Sequence, residues 1–441
     1  MTTAFGVLHS PMWKKIIRNS AIIFAGVIFS RFFIFLSNTI IIRQLSISEY
    51  ATFSLLTSIL TWILVFSHLD LYAAVSRFVS ESNAYNDSES IRSYYKNAIL
   101  MGIALSMVGI VISIMLSYDQ KVLAFPRIIF MMSLAPLALM TINDGFLKGF
   151  HHFKLSAVID SSNGFARFLI LAPALFILGR LNLDKILILS AIATLVPFLL
   201  SYLFVFSTVR EPFHGSRVML DTTVMSKLFH YSKWVCLTDL LSAGLFLFAN
   251  FVICASSQED LARFNIIILL YSVFQMFFGA ITTVMIPHIS HAVAKNRTIK
   301  ILGIREIIFL VILASFFIAF IFIIPSKEKI LTLLFGKSQY SDALNYVALL
   351  LISFPFRIAS TTNRGIVQGL NRPRSIAIAS VLTFIASALI FIVSYQRYGL
   401  LGSIMAINVS HLIEYFLTNR AARRVLETYK YDISRRAASL I

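Results

Sequence analysis

The 441-residue chain has only two cysteines, three tryptophans and 13% charged residues, and its 20 acids are outnumbered by 38 lysines and arginines. Each scarcity excludes something. Cys236 and Cys254 lie 18 residues apart in one predicted helix, about 27 Å along its axis, so no disulfide can join them. Both read as core or lipid-facing residues. No group of residues has metal-ligand spacing, and His151-His152 has no carboxylate or cysteine beside it at such spacing. The "FGKS" at Phe335–Ser338 lacks the glycine that a phosphate-binding loop needs five residues before Gly336, where Leu331 stands. No cofactor and no metal are therefore expected. A soluble domain carries roughly 25% charged residues. The low charge here, with 58% hydrophobic residues and a mean hydropathy of +0.83, makes lipid the solvent.

The net charge of +18 does not predict nucleic acid as a partner. Lys14, Lys15, Arg18, Arg210, Arg217, Lys295, Arg297, Lys300, Arg420, Arg423, Arg424, Arg435 and Arg436 all flank apolar runs, as the positive-inside bias requires. The first run follows a basic region but continues to about Ile42 without a small-residue cleavage site, so it reads as a retained first span.

About twelve runs have the length needed to cross a hydrocarbon core. They lie near 19–42, 50–78, 94–117, 126–148, 155–178 and 186–208, then near 229–254, 261–287, 303–325, 343–367, 374–395 and 399–418. The expected architecture is all-α and polytopic, two six-helix bundles around a central cavity. The polar stretch from Ser207 to Lys227 divides the chain, giving an N-terminal bundle over 1–208, a linker over 209–227 and a C-terminal bundle with a basic tail over 228–441. Most Lys and Arg fall on the side of the termini, so both ends are expected to be cytoplasmic.

The halves repeat one another. "EYATFSLLTSILTWILVFSHLDLYAAVSRFVSE" from Glu49 aligns without a gap on "DLARFNIIILLYSVFQMFFGAITTVMIPHISHA" from Asp260, with Ala51 over Ala262 and Phe53 over Phe264. "INDGFLKGFHHFK" at 142–154 and "TNRGIVQGLNRPR" at 362–374 match at a similar offset, each with a Gly-x-x-x-Gly followed by basic residues. Gly-x-x-x-Gly alone marks close helix packing. Two copies in register mark a parallel repeat, as in transporters built of two rocking bundles.

Three segments carry a family resemblance: "RQLSISEY" from Arg43, "SHLDLYAAVSRFVSE" from Ser67, and "GFLKGFHHFKLSAVIDSSNGFARF" from Gly145. They resemble the polysaccharide transporter branch of the multidrug/oligosaccharidyl-lipid/polysaccharide exporter superfamily, the Wzx-type O-antigen and capsule-unit flippases. One departure is Ala51, where the family pattern usually has glycine. The resemblance implies a bacterial inner-membrane flippase, not an enzyme, that moves an undecaprenyl-pyrophosphate-linked oligosaccharide from the cytoplasmic to the periplasmic leaflet. It also implies polysaccharide polymerase and chain-length proteins as partners, besides the lipid bilayer itself.

A pyrophosphate needs cations, and charge inside a membrane is costly enough to be a functional candidate. The expected cavity cations are Arg31, Arg167, Lys233 and Arg357; the acids expected to couple or pair charge are Asp70, Asp160, Asp239 and Glu414, with His411. Arg31 lies too deep in the first span to snorkel easily, and its repeat counterpart is Ser242. It either faces substrate or pairs with Asp70 or another acid. Asp160 and Arg167, two helical turns apart, either line the cavity or neutralise a packed face. Lys233 either lines the cavity or snorkels to the interface. Arg357 follows Pro355, a helix-distorting residue. His411 and Glu414 form either a proton relay or a polar contact between helices. Two other readings compete. A cation-coupled drug exporter of the same fold predicts an acid-dominated cavity, unlike the mixture here. A membrane glycosyltransferase or O-antigen polymerase predicts a large extramembrane loop with catalytic groups, and no predicted periplasmic loop is long enough.

Overall fold

In lipid each backbone N–H and C=O must find its partner within the chain, so apolar runs of this length become helices. The computed structural model describes residues 11–118, 125–208, 221–272 and 343–438 and contains no strand among them. Its helices are α1 Pro11–Gln44, α2 Ile47–His68, α3 Leu71–Ala84, α4 Ser88–Tyr118, α5 Phe125–Met132, α6 Leu134–Gly149 and α7 Phe153–Leu178. There follow α8 Leu183–Thr208, α9 Thr222–Ser256, α10 over 258–272, α11 Ala343–Leu351, α12 Phe354–Gly369 and α13 Pro373–Ala438. Eight stretches among the described residues, counting α2 with α3 and α5 with α6, are long and apolar enough to cross a membrane. The run expected near 303–325, the later part of that near 261–287, most of the linker and the Phe335–Ser338 segment lie outside the described residues.

Three runs expected to be single spans are broken. Between α2 and α3, Leu69 and Asp70 both take the left-handed conformation, each with φ 47°, which is uncommon for residues with a side chain. Ser133 separates α5 from α6, its hydroxyl donating to the Phe130 carbonyl at 2.6 Å. Ser353 separates α11 from α12, and its hydroxyl donates to the Leu350 carbonyl at 3.2 Å. Pro355 falls in the first turn of α12, where its missing N–H breaks no helical bond. It starts a helix here instead of distorting one. The last two expected spans are joined in α13, where Gly399 leaves the helical region at φ 55°, ψ −135°. Ile376 and Ala422, equidistant from Gly399 in sequence, share one apolar cluster with Val367, so the chain folds back on itself there.

The repeat is written in backbone geometry. α6 and α12 have 16 residues each, both start after a serine, and both end at the second glycine of Gly-x-x-x-Gly. Two residues later each copy takes a left-handed residue, His151 at φ 62° and Asn371 at φ 61°. The closing bonds correspond as well: His152 N–H donates to the Leu147 carbonyl at 2.9 Å and Arg372 N–H to the Val367 carbonyl at 3.1 Å. The other alignment agrees. Ser46 and Ser257 cap α2 and α10, accepting from the N–H of Glu49 at 3.3 Å and of Asp260 at 3.1 Å. Both repeat connections lie on one side of the molecule, here termed the basic face. His151 approaches Ser80 at 3.4 Å, Phe78 packs on Tyr231 at 5.7 Å, and the Tyr231 hydroxyl donates to the Gln368 carbonyl at 3.1 Å.

The glycines of the first copy seat α6 on α3. A Cβ on Gly145 would lie 2.6 Å from the Tyr72 carbonyl oxygen, and one on Gly149 would lie 2.8 Å from the Val79 Cβ. Backbone cannot yield as a flexible side chain can. Gly145→Val should therefore destabilise the protein by about 1–3 kcal/mol or more, read as a lower thermal midpoint in detergent. An unchanged midpoint would show that α6 and α3 are not held by this contact.

α9 packs across the first half of the chain. Trp62 Nε1 donates to the Leu240 carbonyl at 3.1 Å, and Asn250 Nδ2 donates to Ser58 Oγ at 2.5 Å. Nearer the basic face, the Lys227 ammonium donates to the Tyr94 hydroxyl. These bonds tie both repeat halves together along one seam.

Candidate functional site

Arg31, Asp160 and the Lys148–Asp144 pair of the first half gather where α1 and α7 pack closely. A Cβ on Gly164 of α7 would fall 1.9 Å from the Ser30 carbonyl of α1, and one on Gly26 would fall 2.7 Å from the Ala157 carbonyl. Between these contacts α7 carries Asp160, 4.0 Å from Lys148 Nζ of α6. Lys148 is buried and ion-paired to Asp144 one turn back at 2.5 Å, with the Tyr72 ring at 5.0 Å. Arg31 of α1 lies within electrostatic reach of Asp160. It is exposed and forms no ion pair with any described residue. At 3.6 residues per turn, Arg31 projects about 100° around α1 from Phe32 and about 160° from Phe29, the exposed apolar stripe of that helix. Its open side therefore faces away from that stripe, on the Asp160 side.

The second half holds a tighter constellation. Glu414 of α13 receives Arg357 Nη1 at 2.5 Å and is also paired with Arg364, both from α12. Arg364 reaches Asp239 of α9 at 3.4 Å, and Arg357 donates to Ser242 Oγ of α9 at 3.2 Å. Ser242 is the repeat counterpart of Arg31, so this half receives its cation from a different helix. The cavity beside these groups has about 30 Å³, room for a water and not for a phosphate. His411 Nδ1 lies 2.8 Å from the Ser353 hydroxyl, at the break between α11 and α12, and its ring stacks on Tyr271 at 6.1 Å.

Asp70 stands at the seam. It is buried in the left-handed break between α2 and α3 and lies within electrostatic reach of Asp239. Its backbone N–H donates to His68 Nδ1 at 3.0 Å. That nitrogen therefore acts as an acceptor, which fixes His68 as the neutral tautomer protonated at Nε2. One carboxylate oxygen of Asp70 is buried with no hydrogen-bond partner among the described residues. A carboxyl group from each half thus approaches the other, with backbone freed from helical bonding beside one of them.

The structure brings some expected residues together and separates others. Arg357, Glu414 and Asp239 join one network, completed by Arg364, which the sequence reading did not single out. Asp160 and Arg167 do not pair: Asp160 turns to Lys148, while the Arg167 guanidinium lies over the Phe53 ring at 5.8 Å. Lys233 is half-buried, over Trp234 at 5.4 Å and Phe229 at 6.0 Å. It lies eleven residues inside α9, which starts earlier than the hydropathy suggested. Arg364 and Asp144 had a signal in the sequence. Each immediately precedes the first glycine of its Gly-x-x-x-Gly, so the repeat places opposite charges at one position.

The fold is that of solved transporters. A variant of the Vibrio cholerae MATE transporter VcmN matches at a TM-score of 0.76 with 13% identity, over 97% of this chain and 99% of that one. An outward-facing multidrug resistance MATE family transporter of the MOP superfamily matches at 0.76 with 12% identity, over 96% and 98%. A MOP superfamily transporter from Pyrococcus furiosus, described as having a binding pocket of reversed polarity, matches at 0.71 with 13% identity, over 95% and 98%. No curated protein matches significantly in sequence. The family model for polysaccharide biosynthesis proteins matches residues 16–293, more than half of this multi-pass membrane chain, and the chain belongs to that family.

Proposed function

We propose that this protein is a flippase that carries an undecaprenyl-pyrophosphate-linked oligosaccharide, an O-antigen or capsule unit, between leaflets by alternating access. The observation that carries the reading is the union of a polysaccharide-biosynthesis sequence family with a MATE transporter fold. In this reading the chain performs no chemistry on its substrate. The bundles, 1–208 and 228–441, rock about the α9 seam, and the basic face lies in the cytoplasm of a bacterial inner membrane with both termini. Arg31, with Arg167 and Lys233, supplies cations unpaired by any described acid to the pyrophosphate. Arg357, already held by Glu414, orders the second half. Asp70 and Asp239, with Asp160, Glu414 and His411, couple or balance charge as the halves separate. If the headgroup crosses without counter-ions, export of two negative charges from a negative interior gains roughly 4–5 kcal/mol per 100 mV, so the potential adds to the driving force. Polymerase and chain-length proteins would receive the product.

Deleting the gene in its host tests the reading. The expected outcome is loss of surface polysaccharide with accumulation of the lipid-linked unit on the cytoplasmic side. Normal polysaccharide and no accumulated precursor would remove it.

A further inference from the structure

A second basic feature lies away from the seam charges. At the basic face, α9 and the two arms of α13 enclose a cleft of about 1160 Å³. Lys227, His230, Arg372, Arg374, Arg420 and Arg424 all line it, and among the described residues no acidic one does. These six side chains are exposed, yet they come from three separate stretches of chain and converge on one concavity. A positive-inside surface that merely faces headgroups would spread such charges around the rim.

Two of the cations are held in place by aromatic rings. The Arg374 guanidinium lies over Trp234 at 5.4 Å, and Lys227 lies over Phe78 at 4.7 Å while bonded to Tyr94. Arg372, Arg420 and Arg424 form no ion pair with any described acid, so their donors are open to a ligand. One wall is apolar: Ile378 and Leu382 of α13 line the cleft and are themselves exposed. A ligand that fills it carries concentrated negative charge at one end and a hydrocarbon chain at the other.

We infer that this cleft docks the phosphate or pyrophosphate headgroup of a lipid, with its chain along Ile378 and Leu382. The guanidinium forks of Arg372, Arg374, Arg420 and Arg424 match phosphate oxygens in geometry, and Lys227 and His230 add positive charge. The inference rests on the flippase reading only for the glycan the lipid carries. It adds to that reading a place on the basic face where the headgroup is held before it reaches the seam.

Binding to the purified full chain in detergent tests it, with farnesyl pyrophosphate, inorganic pyrophosphate and phosphatidylglycerol as probes. Farnesyl pyrophosphate should bind with phosphatidylglycerol present in excess, and more tightly than inorganic pyrophosphate. Both R420Q/R424Q and R372Q/R374Q should weaken it by about tenfold or more, because each removes charge-assisted hydrogen bonds. Lys185→Gln, at an exposed cation outside the cleft, should bind it as the wild type does. Unchanged affinity in both double variants would overturn the inference. So would equal affinity for inorganic pyrophosphate, which would mark a site for free anions, or displacement by phosphatidylglycerol, which would mark a general lipid surface. Binding that behaves as expected in a protein that moves no lipid-linked glycan would retain the cleft and retire the transport reading.

Discussion

Glu414→Gln should strip most folded protein from the membrane. Glu414 is the acid shared by Arg357 and Arg364, and its side chain is 5% exposed while that of Arg364 is 9% exposed. Removing one partner of a buried ion pair costs about 3–5 kcal/mol, because the remaining charge is neither hydrated nor neutralised. Two guanidiniums are left here. Asp239 offers only partial relief, since among the described residues it pairs with Arg364 alone and its side chain is 44% exposed. The measurement is membrane abundance together with the thermal midpoint in detergent. The triple variant R357M/R364M/E414M should recover much of the loss, because it removes the charges together instead of orphaning them. A Glu414→Gln protein with the wild-type midpoint would show that this network does not hold α12 to α13.

The second large effect is expected on function with stability spared. Arg31→Ala should abolish export of surface polysaccharide while the protein stays at normal level in the membrane. The separation follows from the structure: Arg31 is exposed and is not ion-paired to any described residue, so folding does not depend on its charge. Arg31→Lys should export weakly, since it keeps the charge and loses the fork of donors that fits phosphate oxygens. Full polysaccharide from well-expressed Arg31→Ala protein would end the assignment of Arg31 to substrate.

Hydropathy and the repeat made most of the architecture legible, and the residues show where that reading stops. The two Gly-x-x-x-Gly ends could be aligned because each is a local backbone requirement that both halves must meet. The break at Leu69 and Asp70 could not, since "FSHLDLY" contains neither glycine nor proline and a hydropathy window averages over it. The serines at the other breaks did leave a trace. Ser133 and Ser353 occupy one repeat position, and each hydroxyl turns back on a carbonyl of its own helix.

The site was legible as a list of charges and not as a set of partners. Which acid meets which base depends on how each helix is rotated about its axis and on where helices approach, and composition encodes neither. Asp160 and Arg167 share a face by spacing, yet the close approach of α1 and α7 at Gly26 and Gly164 directs Asp160 to Lys148 and Arg31. Arg364 stood near the end of the run expected over 343–367, next to a glycine, and was not singled out. Its burial follows from α12 running on to Gly369, which places it more than a turn inside the helix.

The most direct measurement of the central claim follows a fluorescent polyprenyl-pyrophosphate-linked oligosaccharide across the bilayer of vesicles containing only this protein. With a potential negative on the side where the substrate starts, the label should cross without ATP, faster than in protein-free vesicles, and should stop crossing when ion and potential gradients are collapsed. Crossing no faster than in protein-free vesicles, or crossing that requires ATP after the gradients are gone, would contradict the account.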